Sequence, residues 1–476
     1  MSPRCIVSVG GYIPLLRLDR KAAASSLRWS GLAGPRTGSR SVAGWDEDPV
    51  TLAVEAARVA RPSAADLKDV VFASTSAPFF ERSQATLVIE ALGLTAGTTS
   101  QDVAGSRRAA TSALMRALET GRSALIASGE KRPTKTGNAA QLAFGDGGAA
   151  IVTGSEGPVR YLGGASLSHD FLDIYSSREH PTPYAAEERF VRDIAVSEIL
   201  VPTIRESCAD AGVNAAQISL VAFAEPVSGA FAALSKALGL TASNVGAELT
   251  ERAGNLGAAH PLFAFALACD RAKPGDIILL VGFGSGCDAL LFEIDGPVPG
   301  ASSASAALSQ GRKLDDYVRF LNLVGAVEMD WGVRAETEQK AAATVLNRYG
   351  RDMMGFVGGR DVRGNVQFPK TRMPVDPEAT GPEPLEDTPL ADVPARLVSL
   401  TADRLNFTPD PPFHFGLVQF DNGARVMMEF TDADSEGFTV GQAVAMRFRI
   451  KSLDRRRGSR TYFWKAAPAQ RPTLEA

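Results

Sequence analysis

Over the first 300 residues, short apolar runs alternate with longer stretches in which apolar residues recur at helical spacing. Stretches such as DPVTLAVEAARVA and TSALMRALETG place their alanines, valines and leucines on one face of a helix. The apolar runs lack that spacing and predict strands buried on both faces: VVFAST (70–75), ALIASG (124–129), GAAIVTG (148–154), SLVAFAEP (219–226), IILLVGFG (277–284) and ALLFEI (289–294). Buried strands that alternate with helices indicate a layered α/β fold.

The pattern occurs twice. ALIASGE followed by GDGGAAIVTG in one half corresponds to IILLVGFGSGCDALLFEI in the other, and an earlier short strand and helix precede each pair. We therefore predict two similar halves, residues 1–165 and 166–300.

The composition changes after residue 300. The low-complexity segment GASSASAALSQG predicts a linker, and residues 312–350 have a helical pattern, so we assign 301–355 to a linker and helical segment. From about residue 395 the pattern is five short strands with Gly or Asn-Gly turns, which is typical of a small closed barrel. Residues 356–476 are predicted to form this C-terminal domain.

Charge and cysteine content narrow the classes of function. The net charge is -4 and 22% of residues are charged, which gives no electrostatic case for nucleic acid. No apolar stretch reaches the length of a membrane span, and no signal peptide is evident. The four cysteines lack metal-ligand spacing and are too few to staple the chain, so a reducing cytoplasm is expected.

Six segments in order resemble the hydroxymethylglutaryl-CoA synthase branch of the thiolase superfamily: GYIP, AGWDEDPVTLAVEAAR, DVAGSRRAATSAL, FGDGGAAIVTG, GNLGAAHPLFAFALA and GFGSGCDALLFEI. FGLVQFDNGARVMMEFTD and TYFWKAAP resemble the OB-fold acyl-CoA-associated domain often paired with such proteins. The resemblance implies an α/β, five-layered αβαβα thiolase fold of two similar halves, plus a C-terminal all-β OB-fold domain. It also implies an acyl-CoA substrate, no cofactor beyond that coenzyme A, and a homodimer formed through the thiolase-like domain.

The family's acylating residues are replaced in this sequence. The cysteine, the glutamate and the histidine before a proline correspond to Arg107, Thr75 and Ala224. Asn255, which in related enzymes helps to form an oxyanion site, is retained. The zinc ribbon that usually precedes the OB fold is degenerate, because its ligand positions correspond to Arg360, Arg363 and a third near Met373. Zinc needs thiolate or imidazole ligands, so no metal is expected.

Several residues remain as candidates for a site, each with a structural alternative. Ser106 is a nucleophile only if a base is near, and otherwise packs at the helix start. His260 suits acid–base work at neutral pH, or else packs in a helix. Tyr175 lies in SHDFLDIYSSREHP, which resembles a substrate-contacting stretch of the family, and is otherwise in a solvated loop. For contacts with coenzyme A or substrate, the candidates are Arg107, Arg108, Glu225, Gly284 and Ser285.

A thiolase-type pocket without its nucleophile cannot form an acyl-cysteine, but it can still polarise a thioester carbonyl. The sequence therefore suggests aldol or retro-aldol cleavage of a β-hydroxyacyl-CoA, with His260 or Tyr175 as acid/base and Asn255 as oxyanion support. Two alternatives remain open. One is a Claisen-type acyltransferase that uses Ser106 or direct attack by coenzyme A, and the other is a non-catalytic thiolase-like partner subunit.

Overall fold

The computed structural model describes residues 4–31, 36–60, 67–332, 350–434, 436–454 and 457–474. Fifteen described strands precede residue 320: β1 Cys5–Tyr12, β2 Leu16–Asp19, β3 Ser39–Val42, β4 Asp69–Ala73, β5 Thr99–Val103, β6 Ala124–Glu130, β7 Gly147–Gly154, β8 Val159–Ser168, β9 Ile174–Tyr175, β10 Tyr184–Ala185, β11 Ile218–Phe223, β12 Ser243–Asn244, β13 Ile277–Phe283, β14 Gly286–Ile294 and β15 Arg312–Leu314. The described helices are α1 Arg20–Ser26, α2 Pro49–Ala60, α3 Gln84–Ala91, α4 Ala109–Thr120, α5 Ala139–Ala143, α6 Glu188–Ile194, α7 Val201–Ala211, α8 Ala230–Leu238, α9 Val245–Ala253, α10 Ala259–Arg271, α11 Ser302–Ser309, α12 Tyr317–Leu323 and α13 Gly350–Met354. A π-helical turn, Ala195–Leu200, joins α6 to α7.

Two five-stranded sheets form the frame of the first domain. One has the order β12-β11-β13-β14-β8 and the other β1-β7-β6-β4-β5, and they are continuous through a two-residue ladder between β1 and β8. All six predicted strands are present, with ends shifted by up to three residues. Because β8 pairs with β14 along nearly its whole length, the predicted boundary at residue 165 falls inside a strand of the second half.

Helices α4 and α10 lie between the two sheets, where each contacts strands of both. Every residue of α10 from Ala259 to Cys269 is buried, which explains its nearly continuous apolar sequence. On the outer faces, α2 packs on β1, β6 and β7, and α7 packs on β8 and β14. The result is the predicted five-layered arrangement of helices and sheets.

The predicted linker after residue 300 is instead a packed helix. In α11, Ala304, Ala307 and Leu308 are buried against α10 and β1, because these small residues recur on one face. Of the predicted helical segment 312–350, the structure has β15 and α12, and residues 333–349 lie outside the described part of the chain.

The C-terminal domain begins with a small three-stranded ribbon and continues into a barrel. The ribbon strands are β16 Val357–Arg360, β17 Val366–Gln367 and β18 Glu386–Pro389. The barrel strands are β19 Ala395–Leu397, β20 Thr401–Asp403, β21 Phe413–Phe420, β22 Arg425–Glu429, β23 Ala443–Asp454 and β24 Ser459–Pro468. A bridge between Phe430 and Ala466 joins the end of β22 to β24 and closes the barrel, as predicted.

The barrel docks on α2 of the first domain through buried charged groups. The Glu55 carboxylate accepts the backbone N–H of Phe448 at 2.8 Å and pairs with Arg447 at 3.1 Å. The guanidinium groups of Arg58, Arg447 and Arg449 outweigh the effect of burial and lower the pKa of Glu55 to about 2. The two domains are therefore held by fixed ionic and backbone contacts.

The segment 44–48 before α2, which we call the docking loop, carries a second set of such contacts. Arg449 of the barrel is fully buried and lies 3.0 Å from Glu47 and 3.2 Å from Asp432. On the other side of the docking loop, the ammonium group of Lys131 donates to the carbonyl oxygens of Gly44 and Glu47 at 2.9 and 3.0 Å. The docking loop thus lies between the barrel and the end of β6.

Candidate active site

The turn between β13 and β14 closes over the start of α4. Gly284, Ser285 and Gly286 have φ angles of 156°, 48° and 122°. A Cβ at Gly284 would lie 2.9 Å from Ser106 Oγ and 3.0 Å from the backbone nitrogen of Arg107. Glycine at 284 therefore lets the turn lie directly against the residues at the nucleophile position.

Ser106 takes part in this packing. Its hydroxyl donates to the carbonyl oxygen of Gly284 at 2.6 Å and accepts the backbone N–H of Arg108 at 3.2 Å. Within the described residues, no imidazole, carboxylate or amine is hydrogen-bonded to this hydroxyl. A serine nucleophile needs such a base, so the geometry favours the packing interpretation.

Arg107, at the expected cysteine position, is nearly buried and has a partner within the chain. Its Nη2 contacts Oδ2 of Asp173, whose side chain is only 4% exposed. The guanidinium carbon lies 5.9 Å from the centre of the Phe283 ring. A buried guanidinium needs an anionic partner, and Asp173 supplies it.

Asp173 belongs to the segment that resembles the family's substrate-contacting stretch. Tyr175, two residues later, lies in the hairpin of β9 and β10, where its ring is 5.5 Å from that of Tyr184. The Tyr175 side chain is 47% exposed. This segment therefore reaches the start of α4 through Asp173 and leaves the phenol of Tyr175 accessible.

His260 is placed differently, in the first turn of α10, where it is fully buried. Its Nδ1 accepts the backbone N–H of Leu256 at 3.2 Å, and its Nε2 lies 3.2 Å from the carbonyl oxygen of Gly246. Burial lowers the pKa of His260 to about 4, so the ring is neutral at physiological pH. Both ring nitrogens serve helix packing, which matches the structural alternative.

Arg108 and Glu225 also have partners within the chain. Arg108 donates to the buried carboxylate of Asp288 at 2.8 Å and to Ser166 at 3.1 Å. Its Nη2 reaches the carbonyl oxygen of Ser285 at 3.4 Å. The Glu225 carboxylate accepts the backbone N–H of Phe231 at 3.0 Å, in the first turn of α8. These contacts stabilise turns and helix ends.

Asn255 keeps a free donor. Its Oδ1 accepts from Arg132 Nη2 and from the backbone N–H of Gly257, both at 2.9 Å. The Arg132 guanidinium is stacked 3.5 Å from the centre of the Phe144 ring and also donates to the Asn255 carbonyl oxygen. Among the described residues Nδ2 has no hydrogen-bond partner, so this amide is oriented by the contacts of its oxygen and remains available.

A buried carboxylate that the sequence analysis did not identify lies near Asn255. Glu130 ends β6, has no exposed surface, and accepts the backbone N–H groups of Thr75 and Ala258 at 2.7 and 3.2 Å. It also accepts the hydroxyl groups of Thr75 at 3.0 Å and Ser76 at 2.5 Å. The carboxylate therefore lies beside Thr75, the position of the family glutamate, but is delivered by a different strand. Burial raises its pKa.

A basic cleft was also missed. It is lined by Lys21, Arg28 and Arg36 together with Asn138 and Leu142 of the α5 region. Helix α5 extends from this cleft to the candidate site, since the carbonyl oxygen of Ala143 accepts the backbone N–H of Asn255 at 2.9 Å. These three cations lie far from α4 in the sequence and are not among the residues that the sequence suggests for contacts with coenzyme A.

The ribbon has polar contacts around Arg363, one of the positions at which the sequence suggests that a zinc ligand has been replaced. Arg363 is ion-paired with Asp376, and Asp361 accepts the backbone and side-chain nitrogens of Asn365 at 2.8 and 2.9 Å. Within the described residues, no group of three or more His, Cys, Asp or Glu side chains is arranged to hold a metal ion. No helix in the described ranges is long and apolar enough to cross a membrane.

Family models match two parts of the chain. Residues 208–294 match the C-terminal part of 3-oxoacyl-[acyl-carrier-protein] synthase III, and residues 388–449 match the C-terminal OB-fold domain of ChsH2. Hydroxymethylglutaryl-CoA synthase of Pyrococcus furiosus is 26% identical over 348 residues, which cover 70% of this chain and 96% of that protein. The synthase of Pyrobaculum neutrophilum is 29% identical over 342 residues, which cover 67% and 96%.

Solved structures agree on the fold. MvaS in complex with 3-hydroxy-3-methylglutaryl coenzyme A superposes with a TM-score of 0.57 at 18% identity, covering 68% of this chain and 92% of that one. A variant of OleA from Xanthomonas campestris superposes with a TM-score of 0.53 at 18% identity, covering 62% and 96%. The first domain of the chain is thus similar to hydroxymethylglutaryl-CoA synthases in sequence and fold, and the domain that follows it matches the C-terminal OB-fold domain of ChsH2.

Proposed function

We propose that this chain binds an acyl-CoA and makes or breaks a carbon–carbon bond next to the thioester without forming an acyl-cysteine. The specific reaction we propose is aldol or retro-aldol cleavage of a β-hydroxyacyl-CoA. The observation that carries the proposal is the combination of Arg107 at the nucleophile position with a free, oriented Nδ2 on Asn255. The first excludes a thiol there, and the second supplies a donor for the negative charge that develops on a thioester oxygen.

The cysteines offer no substitute nucleophile. Cys5, Cys269 and Cys287 are buried, and burial raises the pKa of each thiol. Cys208, in α7, is half-buried and its pKa is also raised by burial. The likeness to proteins solved with coenzyme A or its esters supports the ligand class, and the basic cleft offers three cations for its phosphates.

In this reaction a base takes the β-hydroxyl proton, the Cα–Cβ bond breaks, and the electron pair enters the thioester enolate. Asn255 Nδ2 is the proposed oxyanion donor. Of the two residues that the sequence suggested as acid/base, Tyr175 has an accessible phenol, whereas His260 is enclosed at the start of α10. The Claisen alternative through Ser106 lacks a base among the described residues.

The test is incubation of the purified chain with a panel of β-hydroxyacyl-CoA esters, among them 3-hydroxy-3-methylglutaryl-CoA, with detection of released ketone or aldehyde. Intact-mass spectrometry of the same samples detects any covalent acyl group. Cleavage without an adduct supports the proposal. A stable adduct on Ser106, or thiolysis in place of aldehyde or ketone release, supports the acyltransferase instead.

We also propose that two copies pair through β5. This strand lies at the end of its sheet, and four of its five residues are exposed. Phe80, on the loop between β4 and α3, is 81% exposed. An exposed edge strand favours pairing with another strand. Sedimentation analysis should give a dimer that Ser100→Pro converts to a monomer, and a monomeric parent chain would refute the pairing.

A further inference from the structure

The unused group in the candidate site is the carboxylate of Glu130. It is fully enclosed, yet it is in direct contact with two hydroxyl groups whose residues are only half-buried. The groups that donate hydrogen bonds to it are neutral, and no cation among the described residues is in direct contact with it, so the ionised form is costly to hold there. Arg132 is the charged neighbour that lowers its pKa, but the guanidinium hydrogen-bonds Asn255 rather than Glu130.

The hydrogen bonds connect the carboxylate to a hydroxyl group that can transfer a proton to it. Ser76 Oγ lies 2.5 Å from Glu130 Oε2 and accepts the backbone N–H of Lys131 at 3.0 Å, so the serine proton points to the carboxylate. Thr75 Oγ1 lies 3.0 and 3.1 Å from the two carboxylate oxygens and holds them in place. The Ala258 N–H, three residues after Asn255, fixes the opposite side.

We propose that Glu130 is the proton acceptor of this site and that Ser76 relays the proton to it. The inference rests on the proposed function. As the substrate β-hydroxyl proton passes to Ser76 Oγ, the serine proton passes to Glu130 Oε2. The alkoxide electron pair forms the new carbonyl, the Cα–Cβ bond breaks, and its electron pair forms the thioester enolate at Asn255. The proton then returns from Glu130 through Ser76 to Cα, which releases the shortened acyl-CoA and restores the carboxylate.

Burial suits Glu130 to this role, because its raised pKa makes the carboxylate a stronger base than an ordinary glutamate. The placement also explains how the chain dispenses with a glutamate at position 75. Strands β4 and β6 are parallel neighbours, with Ala73 opposite Ser128, so the residues that follow each strand lie together. A carboxylate from either strand reaches the same point, and here β6 provides it.

Exchange of the Cα protons of acetyl-CoA in D2O, followed by NMR, tests the relay without requiring the natural substrate. The variants are Glu130→Gln and Ser76→Ala. Two variants serve as controls. Ser128→Ala, on the same strand as Glu130, removes a buried hydroxyl that donates to the carbonyl oxygen of Ala73, and Glu119→Gln changes a carboxylate on the exposed surface of α4. We expect both relay variants to lose at least about 100-fold in exchange rate, as for loss of a general base, and the controls to stay within about threefold. The parent rate should fall as pH drops through the pKa of Glu130.

The outcomes separate the relay from the proposed function. The relay is supported if the parent chain exchanges the protons and both Glu130→Gln and Ser76→Ala abolish the exchange. If that result is obtained but no β-hydroxyacyl-CoA is cleaved, only the proposed cleavage reaction is contradicted. No exchange by the parent chain, or exchange by both variants at the parent rate and with the parent pH profile, overturns the relay. If Glu130→Gln does not fold, Ser76→Ala, which removes only one hydroxyl, decides by the same criteria.

Discussion

The fully buried Arg449 allows the docking of the barrel to be tested most sharply. Arg449→Leu fills a similar volume but removes the positive charge that lies 3.0 Å from Glu47 and 3.2 Å from Asp432. It also removes a donor to the hydroxyl of Tyr12 at 2.9 Å. The variant leaves a cluster of buried acidic groups without its central cation.

Removing one partner of a buried ion pair costs about 3–5 kcal/mol, because the remaining charge stays desolvated. At 1.36 kcal/mol for each factor of ten, this is a loss of about two to four powers of ten in the folding equilibrium constant. Burial and its acidic neighbours already raise the pKa of Glu47, while Arg449 lowers it. Without Arg449 that pKa rises further, so protonation relieves the variant, and its deficit shrinks as pH falls from 7 towards 5.

Urea unfolding followed by circular dichroism at pH 7 and pH 5 measures both effects. The matched control is Arg425→Leu, which removes an exposed arginine from β22 and should change the free energy of unfolding by no more than about 0.5 kcal/mol. If the free energy of unfolding of Arg449→Leu is within about 1 kcal/mol of the parent value at pH 7, or if the difference does not depend on pH, Arg449 is not the cation that stabilises this acidic cluster.

Three further predictions concern the site and the ribbon. Asn255→Ala should lower kcat for β-hydroxyacyl-CoA cleavage by about 10²–10³ with little change in KM, because the amide acts on charge that develops in the transition state; an effect on KM alone would contradict this. Arg107→Cys should become acylated by acetyl-CoA in intact-mass spectra, since a thiol at a helix start has a lowered pKa, whereas the parent chain and an Arg116→Cys control on the exposed face of α4 should not; an unmodified Arg107→Cys would place the nucleophile position elsewhere. Treatment with a strong chelator should leave the melting temperature unchanged, and one zinc per purified chain by elemental analysis would disprove the metal-free ribbon.

The hydrophobic pattern predicted most strands and helices, because whether a short segment is buried can be seen from its own residues. The strands around Ile126 and Leu279 were identified from continuous apolar runs, and the turn that includes Gly423 was identified from Asn-Gly. The segment containing Ala304 was misjudged as a linker, since an alanine–serine helix packed on a glycine strand resembles low-complexity sequence.

The site was harder to predict because its contacts are long-range. Glu130 is hydrogen-bonded to Thr75, which lies 55 residues earlier, and the parallel register of β4 and β6 brings them together. The sequence ALIASGEKR does contain a signal, since three charged residues follow an apolar strand at the edge where sites of α/β folds often lie. His260 is a candidate because of its chemistry, and its sequence position alone does not show that both ring nitrogens lie at hydrogen-bonding distance from the backbone of Leu256 and Gly246.

The docking loop links the evolution of the two domains. One of its faces is bound to the barrel through Asp46, Glu47 and Asp48, and its backbone is bound to Lys131, which lies between Glu130 and Arg132. Substitutions in the barrel are therefore constrained by the strand that carries the site, and the two domains are expected to diverge together rather than as exchangeable modules. A chimera that joins this first domain to a related barrel should keep its function only when residues 44–48 come from the barrel's own parent.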